Sequence, residues 1–91
     1  MMETFWNGEP CKARKVTCIM ADSPEFPLFW GRREKKVGTR VHAVEVDYEN
    51  KPFYLFDDDG WGWRKVTDGL GSPSWGHKRL CPVPGTVEIL P

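Results

Sequence analysis

The chain has 91 residues, 13 lysines and arginines against 13 aspartates and glutamates, and 40% hydrophobic and 13% aromatic content. One domain spanning 1–91 is expected, with a thin core that buries roughly 60–65% of the surface its unfolded form exposes. Disorder is excluded by the apolar content, a membrane helix by the lack of an apolar run near the roughly 18 residues needed, and global electrostatic attraction to nucleic acid by the zero net charge.

Eight prolines and nine glycines interrupt the chain too often for long helices. Alternation of side-chain character is the recurrent pattern instead. From Ala13 to Met20 it puts Val16, Cys18 and Met20 on one face and Lys15, Thr17 and Ile19 on the other. Asp22 to Gly38 is the least regular stretch, with an extended Ser23–Pro27 and one or two helical turns over Leu28–Lys36. His42 to Tyr48 alternates His42, Val44, Val46 and Tyr48 against Ala43, Glu45 and Asp47, which predicts a half-buried strand. Glu49-Asn50-Lys51-Pro52 is a hairpin turn leading into the aromatic strand Phe53–Phe56.

Asp57-Asp58-Asp59-Gly60 predicts a second hairpin. It delivers a strand over Trp61–Thr67, with Trp61, Trp63 and Lys65 on one face and Arg64 and Val66 on the other. Asp68 to His77, with three glycines, two serines and a proline, is expected to be a loop. Cys81-Pro82-Val83-Pro84-Gly85 extends or turns, and Thr86–Leu90 is a last strand with Val87 and Ile89 inward. The expected architecture is mostly β: a small antiparallel barrel or strongly bent sheet with at most one short helix.

The run from Phe53 to Trp63, in which an acidic turn precedes Gly60-Trp61 and Trp63, resembles the strand-and-loop region of a Src-homology-three-type barrel. There an acidic turn also precedes a tryptophan that stacks on extended peptides. Trp61-Gly62-Trp63 stands here in place of that family's adjacent tryptophans, and the family's opening strand motif is missing. The resemblance implies a small barrel and assigns no ligand.

The three cysteines, Cys11, Cys18 and Cys81, are an odd set behind no recognisable leader, which points to a reducing, cytoplasmic setting. With His42 and His77 they offer five zinc-ligand types, but the spacings C-x6-C and H-x3-C are not those of a finger. Cys18 reads as a buried strand residue, and neither metal nor cofactor is expected. Consecutive aspartates diverge, and Asp68 stands twelfth from Asp57 where a calcium loop needs glutamate, so the acidic turn is expected to be solvated. Cys81 or Ser72 and Ser74 near His77 are the conceivable nucleophiles, with no elbow or metalloprotease motif around them. Gly69-Leu70-Gly71-Ser72 lacks the lysine of a phosphate loop. No enzymatic activity is expected.

Charge is unevenly placed: residues 1–40 carry net +3, 41–68 net −4 and 69–91 net +1. Five tryptophans exceed what a core this size needs, and several stand beside Gly, Asn, Pro or Ser, the setting of aromatic contacts at interfaces. These features point to a non-enzymatic protein-binding module. Its partner-binding residues are Trp30, Arg32, Arg33, Trp61, Trp63, Trp75 and His77. Size and composition match small phage or mobile-element proteins that modulate a host or viral protein. The alternatives are a nucleic-acid-binding barrel using Arg32, Arg33, Lys35, Lys36 and Arg40 with stacked aromatics, or a virion or assembly component. The oligomeric state is not legible in the sequence.

Overall fold

The computed structural model describes residues 1–22, 36–57 and 60–91, the side chains of 75–77 excepted. The extended and helical turns expected within 23–35, and the centre of the acidic turn at 58–59, lie outside the described residues.

The chain opens with β1, Met2–Trp6, and β2, Glu9–Ala21. They are joined at Asn7-Gly8, whose φ values of 52° and 80° form the tight turn that matches the twist of paired strands. β2 is the long strand of the molecule and both its edges are used. Residues 12–19 bond to β3, Arg40–Tyr48, on one edge. On the other edge lie β1, then β6, Glu88–Ile89, then β5, Arg79–Pro82. β4, Lys51–Phe56, pairs with β3 and with β5, so β2-β3-β4-β5 closes back on β2 as a ring. The architecture is the expected mostly β, antiparallel, barrel-like sheet with one short α-helix.

Closure gives the sheet two apolar faces. Inside the ring, Val16, Cys18 and Met20 meet Val41, Ala43, Phe56 and Leu80. The faces expected for β2 are therefore correct. On the outer face Trp6, Cys11, Ala13, Val44, Val46 and Leu55 gather around Val66. Trp6 is fully buried there and meets Phe53 edge to face, with centroids 5.0 Å apart. β3 is thus not half-buried as its alternation suggests. Ala43 and Glu45 are buried along with Val44 and Val46, because one face lines the ring and the other lies under the outer cluster.

The largest correction falls on Trp61–Thr67, which is an α-helix, α1, and not a hairpin strand. Its spacing of buried groups is helical: Gly62 and Val66 face the sheet. The likeness to a Src-homology-three strand and loop ends where this helix begins. Local chemistry supports both ends. Asp57 is buried rather than solvated, and its Oδ1 accepts the Trp63 N–H at 3.3 Å. At the other end the Gly69 and Leu70 N–H groups donate to the Val66 and Lys65 carbonyls, a Schellman closure. A helix of this length is not stable alone. Burial of Val66 and the 2.6 Å bond from Thr4 Oγ1 to the Val66 carbonyl hold it on the sheet.

Two smaller corrections follow. The Asp68–His77 loop contains a 3-10 helix over Pro73–Lys78. In the last strand Val87 packs against the inner cluster, but Ile89 is exposed, since β6 pairs only at its two residues along the rim of β2. The turn before it, Val83-Pro84-Gly85-Thr86, is closed by the Thr86 N–H donating to the Val83 carbonyl.

Gly71 seals the outer cluster. It bridges to Trp6, its carbonyl accepts the Asn7 N–H at 2.8 Å, and a Cβ built on it would stand 2.2 Å from Trp6 Cε3. Gly71→Ala therefore displaces either the indole or the chain. A loss of about 1–3 kcal/mol, the usual cost of overpacking, is expected in a urea unfolding titration.

Candidate functional site

α1 presents Trp61, Arg64 and Lys65 outward from the face that carries Gly62 and Val66. Spacings of three and four residues put these three side chains together on the helix surface. Trp61 is 41% exposed, the most exposed tryptophan among the described residues. The Lys65 ammonium lies 5.8 Å from the Trp61 ring centroid. Lys78, from the end of the 3-10 helix, lies 4.9 Å from it. Each such contact at an exposed site contributes about 0.5–1 kcal/mol. Together they orient the indole and leave a cationic rim around an apolar ring.

Trp63 is placed differently. It points toward the outer cluster and is half-buried, with the Lys15 ammonium 5.5 Å from its ring centroid. The expected common face of Trp61 and Trp63 does not form, because two residues apart on a helix is about 200° of rotation. Trp75 and His77 lie on the 3-10 helix that ends in Lys78, and their side chains are outside the described set. Trp30, Arg32, Arg33 and Lys35 fall within 23–35 and are likewise outside it.

Of the residues proposed for nucleic acid, Lys36 and Arg40 are described. Lys36 is exposed, and its carbonyl accepts both the N–H and the hydroxyl of Thr39. Arg40 is tied to the C-terminal segment. Its guanidinium donates to Thr17 Oγ1 at 3.1 Å and to the Thr86 carbonyl at 3.0 Å, and lies 3.7 Å from Glu88. Those bonds hold β6 against β2 and take up donors that a phosphate would need.

Arg64, Lys65 and Lys78 were not among the expected site residues. Reading 61–67 as a strand scatters Arg64 and Lys65 to opposite faces, and Lys78 is distant in sequence. A helical reading would have found the first two. Of the five tryptophans, Trp6 belongs to the core.

The other chemical groups are structural in placement. Cys11 and Cys18 lie in different clusters, on opposite faces of β2. Burial pushes both thiols up from their ordinary pKa, which keeps them protonated rather than nucleophilic. Ser72 and Ser74 hydroxyls bond each other at 2.6 Å, and Cys81 is half-buried in β5. Among the described residues no group of three or more His, Cys, Asp and Glu side chains is placed to hold a metal ion. No described helix is long and apolar enough to cross a membrane.

One end of the ring interior is closed by polar groups. Arg14 Nε donates to Glu45 Oε1 at 2.7 Å, and the Tyr54 hydroxyl donates to Glu45 Oε2 at 2.8 Å. Glu45 is buried, so both carboxylate oxygens need these partners. Burial first, then the hydrogen bond and charge of Glu45, push the Tyr54 phenol up to about 12.

No protein-family model, curated protein or solved structure matches the chain.

Two outcomes follow from this geometry. A phenol raised on folding favours the protonated native state, so its contribution is complete below the ordinary tyrosine pKa near 10 and lost as pH rises toward 12. The urea midpoint should fall across that interval, and Tyr54→Phe should remove part of the fall. Asp57→Ala removes the bond that starts α1 and is expected to cost about 1 kcal/mol, with faster amide exchange confined to Trp63–Thr67.

Proposed function

We propose that the chain is a non-enzymatic protein-binding module that docks on an acidic segment of a partner through Trp61, Arg64, Lys65 and Lys78. The observation that supports this reading is the exposed Trp61 ring held beneath two ammonium groups. Interfaces concentrate their binding energy in such rings, where a large apolar area is removed from water and flanking cations select charge. The helix is short but is held near its start by Asp57, just past β4, and near its end by the bond from Thr4 of β1 to the Val66 carbonyl, so the ring is presented on a firm support. Little ordering is then needed on binding.

A reducing, cytoplasmic setting accords with three free cysteines, two of them buried as neutral thiols. A module of this kind acts by occupying a surface of a larger protein, the mode of small phage and mobile-element modulators.

Nucleic acid is the less favoured occupant. Bases also stack on tryptophan beside lysine, but Arg40 is committed to Thr17, Thr86 and Glu88, which leaves it poorly placed to add phosphate contacts.

Titration of the intact protein with a fluorescent glutamate-rich peptide and with a single-stranded oligonucleotide distinguishes the two. The peptide should bind, and Trp61→Ala should weaken it by roughly tenfold or more, the size of an interface hot spot. Lys65→Glu with Lys78→Glu should abolish it. Binding of the oligonucleotide alone, with steep loss in salt, would replace the protein-binding reading, and binding of neither probe would end it.

A further inference from the structure

Strand alternation divides the end of the sheet where β1, β2 and β3 meet. Thr4, Cys11 and Val46 face the outer cluster and α1. Glu3, Phe5, Lys12 and Asp47 therefore face the other way, and with Glu49 of the β3–β4 turn they line an open groove of about 610 Å3. The registers order it in two rows. Glu3, Lys12 and Asp47 stand side by side across the three strands, and two residues further along Phe5 stands beside Pro10. Phe5 is 52% exposed.

Three carboxylates thus surround an apolar pair, and Lys12 offsets one of their charges. Glu49 accepts a hydrogen bond from the Tyr48 phenol and keeps its charge. Neighbouring groups register the field. After burial, Asp47 pushes the Cys11 thiol up, and Glu49 and Glu9 do the same to the Tyr48 phenol.

The Trp61 face is the chemical complement of this groove. Its ring projects into solvent, with the Lys65 and Lys78 ammonium groups 5.8 Å and 4.9 Å from the ring centroid. Those distances are on the scale of the strand-to-strand steps of about 5 Å that separate Glu3, Lys12 and Asp47. α1 covers the outer side of the strands whose inner side forms the groove. Ring and groove of one chain therefore lie on opposite faces of the sheet and cannot meet. Those of two chains can.

We propose that the chain associates with itself head to tail, the Trp61 face of one copy seated in the acidic groove of the next. The inference rests on the docking role given to Trp61 and names a second copy as an acidic partner of that face. The indole lies on Phe5 and Pro10, while Arg64, Lys65 and Lys78 meet Glu3, Asp47 and Glu49. Like-with-like pairing is disfavoured, since two grooves would oppose carboxylates and two helices would oppose cations. The contact joins different patches, so each pair keeps a free groove at one end and a free ring at the other. Growth then runs past the dimer, as a ring or a filament.

The test is sedimentation of the intact chain in a concentration series reaching about 1 mM, because a contact of this size is weak. The mass should rise past that of a dimer and fall back as salt is added. Trp61→Ala should weaken association roughly tenfold or more, and Glu3→Lys with Glu49→Lys roughly fivefold, all three being exposed positions. The two variants mixed should form a mixed dimer and stop there, because the first keeps its groove and the second its ring. That recovery also shows both variants to be folded. A chain that stays monomeric throughout, association that ends at a symmetric dimer, or a mixture no larger than its components overturns the proposal. If the glutamate-rich peptide binds a chain that stays monomeric, self-association falls and the docking role of Trp61 stands. Association that an excess of this peptide does not disperse overturns both.

Discussion

The rest of the molecule depends on the double pairing of β2. One edge of this strand is given to β3, and the other is shared in turn by β1, β6 and β5. That arrangement closes the ring, because β5 also bonds to β4. It leaves two faces that both have to be covered, the interior by packing across the ring and the exterior by something added to it. The addition is α1 together with Trp6. A chain of 91 residues can supply this only by placing large side chains where they serve the second cluster, which is why a tryptophan is fully buried outside the ring.

Two chemically distinct surfaces follow from the same division. The helix that covers the outer face turns its own far side to solvent, and that side carries Trp61, Arg64, Lys65 and, from the 3-10 helix, Lys78. On the inner face, the polar cluster of Arg14, Glu45 and Tyr54 ends the ring core, and acidic side chains take over beyond it. The sheet thus separates a cationic aromatic surface from an acidic groove. The charge sums along the chain do not show this separation. Arg64 and Lys65 belong to the acidic stretch 41–68, while Glu45 of that stretch is neutralised by Arg14 and Asp57 is buried against α1.

Legibility in the sequence varied with the range of the deciding interaction. Strand alternation in Val16–Met20 and the aromatic strand Phe53–Phe56 were readable because their partners are other regular strands. Asn7-Gly8 carries the strongest local hairpin signal in the chain, yet the strand pair around it went unread, because Pro10 and the charged residues beyond mask the alternation in β2. The Asp-Gly pair before Trp61 predicted a hairpin, but Asp57 spends its carboxylate on the Trp63 amide and so starts a helix. That choice decided the candidate site, since only helical spacing joins Trp61 to Arg64 and Lys65 and turns Trp63 away.

The zero net charge, the absence of long amphipathic patterns and the alternation along 13–20 and 42–48 are properties of the sequence, and they determined a small, mostly β domain without the global charge of a nucleic-acid binder. Which aromatics became surface and which became core was decided only by the tertiary structure. Trp6 and Trp61 both stand next to a glycine or one residue from it, and nothing local separates them. Gly71 and Phe53 enclose the first from distant parts of the chain, while α1 lifts the second into solvent between two lysines. Burial depends on contacts made across the fold, and residues remote in sequence supply them.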